Sequence, residues 1–289
     1  MTPPDYEYLR KLLKERSGLD LSADKQYLVE SRLIPLAHKS GHSGISELVS
    51  RIKGGGEALI TEVVEAMTTN ETFFFRDKIP FDHLRETVLP ALLQSRAGRR
   101  SFRIWSAASS TGQEPYSIAM VLKEHAQRLA GWRVEIVATD LSLEVLEKSK
   151  SGIYSQFEVQ RGLPIQLLVK YFTQTGELWQ INPDIRGMVQ HRQLNLLQNF
   201  AHLGKFDVIF CRNVLIYFDQ ETKINTFERL KEVLETDGML LLGAAESVVG
   251  ITDAFRPCPD RRGLYQPNPS RVRSNSGAMA QGLKVVATR

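Results

Sequence analysis

Cysteine is nearly missing from the 289 residues, and the two present, Cys211 and Cys258, form neither a disulfide framework nor a CxxC metal site. Histidine is scarce too. The six histidines form no ligand cluster with acids, and His38 and His42, four apart, read as a solvated basic helix face, so no metal is expected. No stretch holds the ~18 to 20 consecutive apolar residues needed to cross a bilayer. The opening MTPPDYEYLRKLL is neither a secretion signal nor a transit peptide, which predicts a cytoplasmic protein without direct membrane insertion. A GxGxxG fingerprint is also lacking, against a dinucleotide cofactor. The body carries no excess charge: Arg271, Arg273, Lys284 and Arg289, with no acid from 268 to 289, supply +4, the whole formal net charge of +4. A face built to neutralise phosphates would leave the body itself basic, so nucleic acid is not expected as a partner.

What the chain does have is enough apolar residues, 42%, for a sizeable core, and a length that suggests two domains of unequal size. To about Met67 apolar residues recur at helical spacing, as in Tyr8, Leu9, Leu12 and Leu13, then Leu28, Val29, Leu33 and Leu36. Ser22, Lys25 and Gln26 mark a helix start, and Pro35 should kink the helix that follows. Lys25, Arg32 and Lys39, spaced by seven, share one stripe, read from spacing alone as a solvated face. From Phe102 short apolar runs alternate with amphipathic stretches. Strands are expected at Phe102 to Ala107, Val134 to Thr139, Val189 to Leu194, Phe206 to Cys211 and Met239 to Gly243, and helices over Tyr116 to Leu129 and Thr222 to Leu234. The alternation predicts an α/β sheet with helices on both faces. An irregular insert after Tyr171 reads as a small β subdomain. The expected division is a helical domain over 1–75, an α/β domain over 76–266 with the insert at about 171–190, and a flexible basic tail over 267–289.

An open α/β sheet binds ligands outside the carboxyl ends of its strands. The first strand is followed by Ala108 to Pro115, where small residues let a backbone approach a ligand and a helix begins, although a packing turn has the same composition. The second ends in Asp140, placed to take ribose hydroxyls or to cap the next helix. Later strands end in Asn195-Leu196 and in Arg212-Asn213-Val214 to Tyr217. Polar side chains at four strand ends favour a ligand crevice. Asn70 to Arg76 links the two regions; two of Phe73, Phe74 and Phe75 are expected in the core, and Asn70, Thr72 and Arg76 are the polar exceptions.

The runs TTNETFFFRD, IWSAASSTGQEPYSIA, ATDLSLEVLEKSKSGIY, NLL at Asn195 and FDVIFCRNVLIYFD together resemble the chemotaxis receptor methyltransferase (CheR) family, over about residues 5 to 266. The resemblance implies a Rossmann-like S-adenosylmethionine-dependent methyltransferase domain, an all-helical N-terminal domain and an inserted β subdomain. It implies methyl transfer to glutamates of chemoreceptor methylation helices, by an enzyme expected to be a monomer. Asn70, Thr72 and Arg76 would lie about the methionine part and methyl end of the cofactor and Glu114 by its amino group. Asp140 would meet the ribose, Asn195 and Leu196 the adenine, and Asn213 and Val214 the floor. Arg76 and Tyr217 would orient the reacting carboxylate, and Lys25, Arg32 and Lys39 would dock the acidic receptor helices. Some relatives tether to a receptor's C-terminal pentapeptide through a Gly-rich insertion in the β subdomain. The run from Gly176 to Gly187 is short and lacks one, and Pro183 would deny a donor to an added strand, so a pentapeptide-independent enzyme is expected. Rival readings are a methyltransferase acting on another protein, RNA or a small molecule, and a non-catalytic cofactor-binding sensor.

Overall fold

A computed structural model describes residues 1–269. Four helices come first: α1 (Pro3–Ser17), α2 (Gln26–Lys39), α3 (Ile45–Lys53) and α4 (Glu57–Met67). Thr2 and Asp5 close a reciprocal capping box on α1, and Gly18 ends it at φ 79°, the left-handed conformation that glycine adopts without a Cβ penalty. Each helix turns one apolar stripe inward: Leu9 and Leu13, Val29 and Leu33, Leu48 and Val49, Val63 and Met67 are at most 1% exposed. At ~1.5 to 3 kcal/mol per buried large side chain, this shared core decides the packing of the helices. Pro35 is exposed and α2 continues through it to Lys39, so the proline does not end the helix.

Helical segments α5 (Ile79–His83) and α6 (Leu89–Ser95), joined by the π-helical stretch Leu84–Val88, lead into the α/β region. Its elements are β1 (Ser101–Ala107), α7 (Gln113–Glu124), β2 (Arg133–Asp140), α8 (Leu143–Ser151), β3 (Ile153–Ser155), α9 (Gln156–Gln160), α10 (Ile165–Tyr171), β4 (Phe172–Thr175), β5 (Leu178–Ile181), α11 (Pro183–Arg186), β6 (Val189–Gln193), β7 (Phe206–Cys211), α12 (Gln220–Val233), β8 (Leu234–Leu242), β9 (Phe255–Pro257) and β10 (Leu264–Pro267). The main sheet has the order β6-β2-β1-β7-β8-β10-β9. Its first five strands are parallel, and β10 and β9 add an antiparallel edge. Alternate residues face opposite sides: Ile104, Ile136, Val208 and Leu241 enter one core, and Trp105, Val137, Ile209 and Leu240 the other. Strand order reverses between β1 and β7, which opens a crevice at their carboxyl ends.

The small second sheet, β3-β5-β4, is antiparallel. It begins earlier than the insert expected at about 171–190, at Ile153, and it ends at Ile181; Val189 belongs to the main sheet, paired with Ile136. Three residues of β3 are too few to show a period of two. Phe74 and Phe75 are buried as expected of two of the three phenylalanines. Beyond Pro269 the expected basic tail lies outside the described residues, and Pro267 still belongs to β10.

Candidate active site

The loop leaving β1 is bent by left-handed residues, Ala108 at φ 55°, Ser110 at 50° and Gly112 at 95°. The two non-glycine positions cost of order 1 to 3 kcal/mol each, so other contacts must fix them. They do. The Ser109 amide donates to the Thr139 carbonyl at 2.9 Å and the Ser110 amide to Asp140 Oδ2 at 2.8 Å. Gly112 packs so tightly against α8 that a Cβ would stand 2.1 Å from Ser149 Oγ. Ser109 Oγ is left buried without a partner where it borders a cleft. A buried hydroxyl of this kind is a group a ligand can satisfy.

Asp140, at the end of β2, is 7% exposed and also accepts from the Ser142 amide at 3.0 Å. Burial pushes its carboxyl above the usual range, against the pull of these backbone donors. After β7, Arg212 is buried and its guanidinium joins three elements: Nη1 donates to Glu114 Oε2 at 2.8 Å, Nη2 to Asp77 Oδ2 and to the Arg76 carbonyl, each at 2.8 Å. Glu114 accepts from Ser106 Oγ as well, at 2.8 Å. Arg76 Nη1 donates to the Glu71 carbonyl at 2.7 Å, and its guanidinium lies over Phe73, 5.5 Å from the ring centroid.

These groups surround one solvent-open cleft of about 1030 Å³. Asn70, Thr72, Arg76, Glu114, Asp140, Asn195, Leu196, Asn213, Val214 and Tyr217 all line it. The helical domain closes it from above: Ser17, Leu19 and the Met67 to Thr69 stretch contribute walls. Contacts at the seam hold that wall in place. Asp20 N donates to the Tyr217 carbonyl at 2.9 Å, Asn195 Nδ2 to the Arg16 carbonyl at 2.7 Å, and a Cβ on Gly18 would collide with the Phe218 ring at 2.6 Å. Asn195 Oδ1 also accepts from Leu197 N at 2.9 Å, so both ends of its amide are engaged. The Tyr217 hydroxyl makes no hydrogen bond among the described residues and stays available.

The sequence reading placed Ser109 and Arg212 only within the runs after the first and Phe206 strands and gave neither a role, and it did not name the wall formed by Ser17 and Leu19. Arg212 directly follows a buried strand, which was a usable signal; its partner Glu114 is 98 residues away, which hid the pairing.

The three cations expected to dock receptor helices are held differently. Lys25, Arg32 and Lys39 do not line the cleft, and they are not equivalent. Arg32 donates to the carbonyls of Met67 at 2.6 Å and Thr68 at 3.0 Å and to Thr69 Oγ1 at 3.0 Å, and so clamps the stretch that roofs the cleft. Lys25 is half-buried, 3.7 Å from Asp24; Lys39 is exposed with no ion pair among the described residues.

Two family models cover this architecture: "CheR methyltransferase, all-alpha domain" over residues 4–68 and "CheR methyltransferase, SAM binding domain" over 70–264. The chain belongs to the CheR methyltransferase family. It is 44% identical to chemotaxis protein methyltransferase 1 of Pseudomonas aeruginosa, over 87% of this chain and 93% of that one. It is 43% identical to chemotaxis protein methyltransferase Cher2 of Pseudomonas putida over the same shares, and 42% identical to chemotaxis protein methyltransferase of Vibrio anguillarum over 88% and 94%. The chain is therefore an S-adenosylmethionine-dependent methyltransferase acting in chemotaxis. The cleft suits that cofactor: it offers an unpartnered serine hydroxyl, a loop held in left-handed conformations at Ala108 and Ser110, and a buried acid after β2. Among the described residues no group of acids, histidines and cysteines is arranged to hold a metal ion, and no helix is long and apolar enough to cross a membrane.

Proposed function

We propose that the chain esterifies glutamate side chains in the methylation helices of chemoreceptors, in the cytoplasm and as a monomer. The observation that carries the reading is a single cleft at the strand reversal, in which the Tyr217 hydroxyl and the Arg76 guanidinium line the same space as Asp140 and Glu114. S-adenosylmethionine, when bound, would supply an activated methyl group on its sulfonium; the attacking carboxylate oxygen would gain the methyl as an ester while the electron pair of the carbon–sulfur bond stays on sulfur. No proton moves in this step. A glutamate with pKa near ~4.3 is already ionised at neutral pH, so the residues need supply no general base.

The protein's task is positioning and exclusion of water. Asp140 takes the ribose hydroxyls. Glu114, held by Ser106 and Arg212, faces the ammonium of the methionine part, with Asn70 and Thr72 beside it. Leu196 and the edge of Asn195 flank the adenine over the floor of Asn213 and Val214. Arg76 and Tyr217 orient the incoming carboxylate, one by charge and one by a hydroxyl donor.

The test is transfer from methyl-labelled S-adenosylmethionine to a receptor cytoplasmic fragment, to the same fragment with its methylation-site glutamates changed to alanine, and to RNA. Label in the first alone, released as methanol by alkali, supports the proposal. Alkali-stable label, or label in RNA, overturns it.

A further inference from the structure

Behind the cleft, Glu246 makes an arrangement that the reaction as described does not use. Its carboxylate accepts four backbone N–H groups: Asn213 at 2.8 Å and Gly243 at 2.7 Å on Oε2, Val214 at 3.0 Å and Leu215 at 2.8 Å on Oε1. Three of these donors are consecutive, in the turn that leaves β7, and the fourth directly follows the neighbouring β8. Asn213 sits there at φ 58°, a conformation that a non-glycine residue keeps only when its surroundings fix it. Here the Glu246 carboxylate does so. The turn runs straight into the 3-10 segment Leu215–Tyr217, whose Tyr217 amide donates back to the Val214 carbonyl at 3.2 Å. Gly243 leaves the necessary space: a Cβ on it would come within 2.8 Å of both Asn213 Nδ2 and Glu246 Oε2.

Glu246 is partly buried, and desolvation raises its carboxyl above the usual range while the four amides oppose that shift, so the carboxylate is held by backbone donors. Among the described residues no side-chain cation forms an ion pair with it.

We propose that Glu246 is a positioning residue for methyl transfer: by collecting the amides of Asn213, Val214 and Leu215 with that of Gly243, it fixes the turn that aims Tyr217 into the cleft. The inference rests on the assignment of Tyr217 to the reacting end.

Glu246→Gln puts an amide donor against backbone donors and loses acceptors for two of the four. The test is a double-mutant cycle in the full chain, reading kcat for receptor methylation at saturating cofactor, per molecule able to bind S-adenosylhomocysteine by calorimetry. E246Q should lower kcat at least tenfold in the wild-type background and less than threefold in the Tyr217→Phe background. Gly243→Ala, which presses on the same turn from the other side, should repeat the pattern and serves if E246Q does not fold. Wild-type kcat in E246Q with only a lowered melting temperature overturns the proposal, as does an equal loss in both backgrounds. Wild-type kcat in Y217F alone sinks the assignment of Tyr217, while the E246Q result in the wild-type background still decides whether Glu246 acts on turnover.

Discussion

Asp140 shows how much one side chain can be asked to do. Its carboxylate already holds the amides of Ser110 and Ser142, and a ribose would add hydroxyl donors to the same oxygens. Asp140→Ala should weaken binding of S-adenosylhomocysteine by about 1 to 3 kcal/mol in calorimetry, the range for a lost hydrogen bond to a charged group; unchanged affinity removes the ribose role. Burial raises the pKa of this acid, so pH gives a second handle. As pH falls through the raised value the carboxylate is lost, and cofactor affinity should fall at a pH higher than for an ordinary aspartate. Stability of the ligand-free protein should move the other way in that window, because native Asp140 takes up a proton that unfolded Asp140 does not. Asp140→Asn should flatten both trends. Tyr217 stands in contrast, with its hydroxyl uncommitted. Tyr217→Phe should lower turnover at least tenfold and leave cofactor affinity within twofold; an equal loss of affinity would make it a wall of the cleft instead. Asp140 was legible in the sequence because it is polar and ends an apolar run, and Tyr217 was singled out by the family resemblance. Ser109 was not, since nothing in a run of small residues says which hydroxyl ends up buried and unpartnered.

Among the elements, α2 adds most to what spacing alone suggests. Heptad spacing places Lys25, Arg32 and Lys39 on a stripe, but spacing cannot tell whether a guanidinium reaches solvent or the carbonyls that end a neighbouring helix. Arg32 reaches the last carbonyls of α4, where a cation meets unsatisfied acceptors and the negative end of the helix dipole. Arg32→Ala should therefore weaken cofactor binding at least fivefold and lower stability by about 1 to 3 kcal/mol, with the salt dependence of receptor KM unchanged. Lys39→Glu should do the reverse, raising receptor KM most at low salt and leaving cofactor affinity alone. If R32A spares the cofactor and shifts only the salt dependence, Arg32 faces the receptor after all. The central strands were readable from the sequence because buried parallel strands are continuous apolar runs; the Phe206 strand has the expected bounds. β8 begins five residues before the expected Met239, since Glu235, Thr236 and Asp237 break the run yet lie in the strand. β3, β9 and β10 were unread for a related reason: three or four residues at a sheet edge are fixed by their partner strand, not by a pattern of their own.

At the scale of the whole molecule the open question is how a receptor reaches the cleft, and the small sheet bears on it directly. Its order leaves β3 and β4 as edges, and a peptide strand can add to an open edge only if a neighbouring loop shapes pockets for its side chains. The hairpin joining β4 to β5 turns on Gly176 and Glu177 alone, with Gly176 at φ 61°, a tight turn with no insertion to form such pockets. Pro183, by contrast, gives no support to this argument: it opens the short helix α11, outside both edge strands, and denies no ladder donor. The case for direct recognition therefore rests on the two-residue turn. We propose that the enzyme engages the methylation helices without a tether. Calorimetry with the receptor's C-terminal pentapeptide should show no binding at up to millimolar peptide, and a receptor truncated by those residues should be methylated within twofold of the intact rate. Grafting a Gly-rich insertion between Thr175 and Leu178 should then create measurable peptide affinity while leaving cofactor binding as it was, because the hairpin supplies no residue to the cleft. Micromolar binding by the unaltered chain, with slower methylation of the truncated receptor, would mean that the bare β4 edge suffices for a tether.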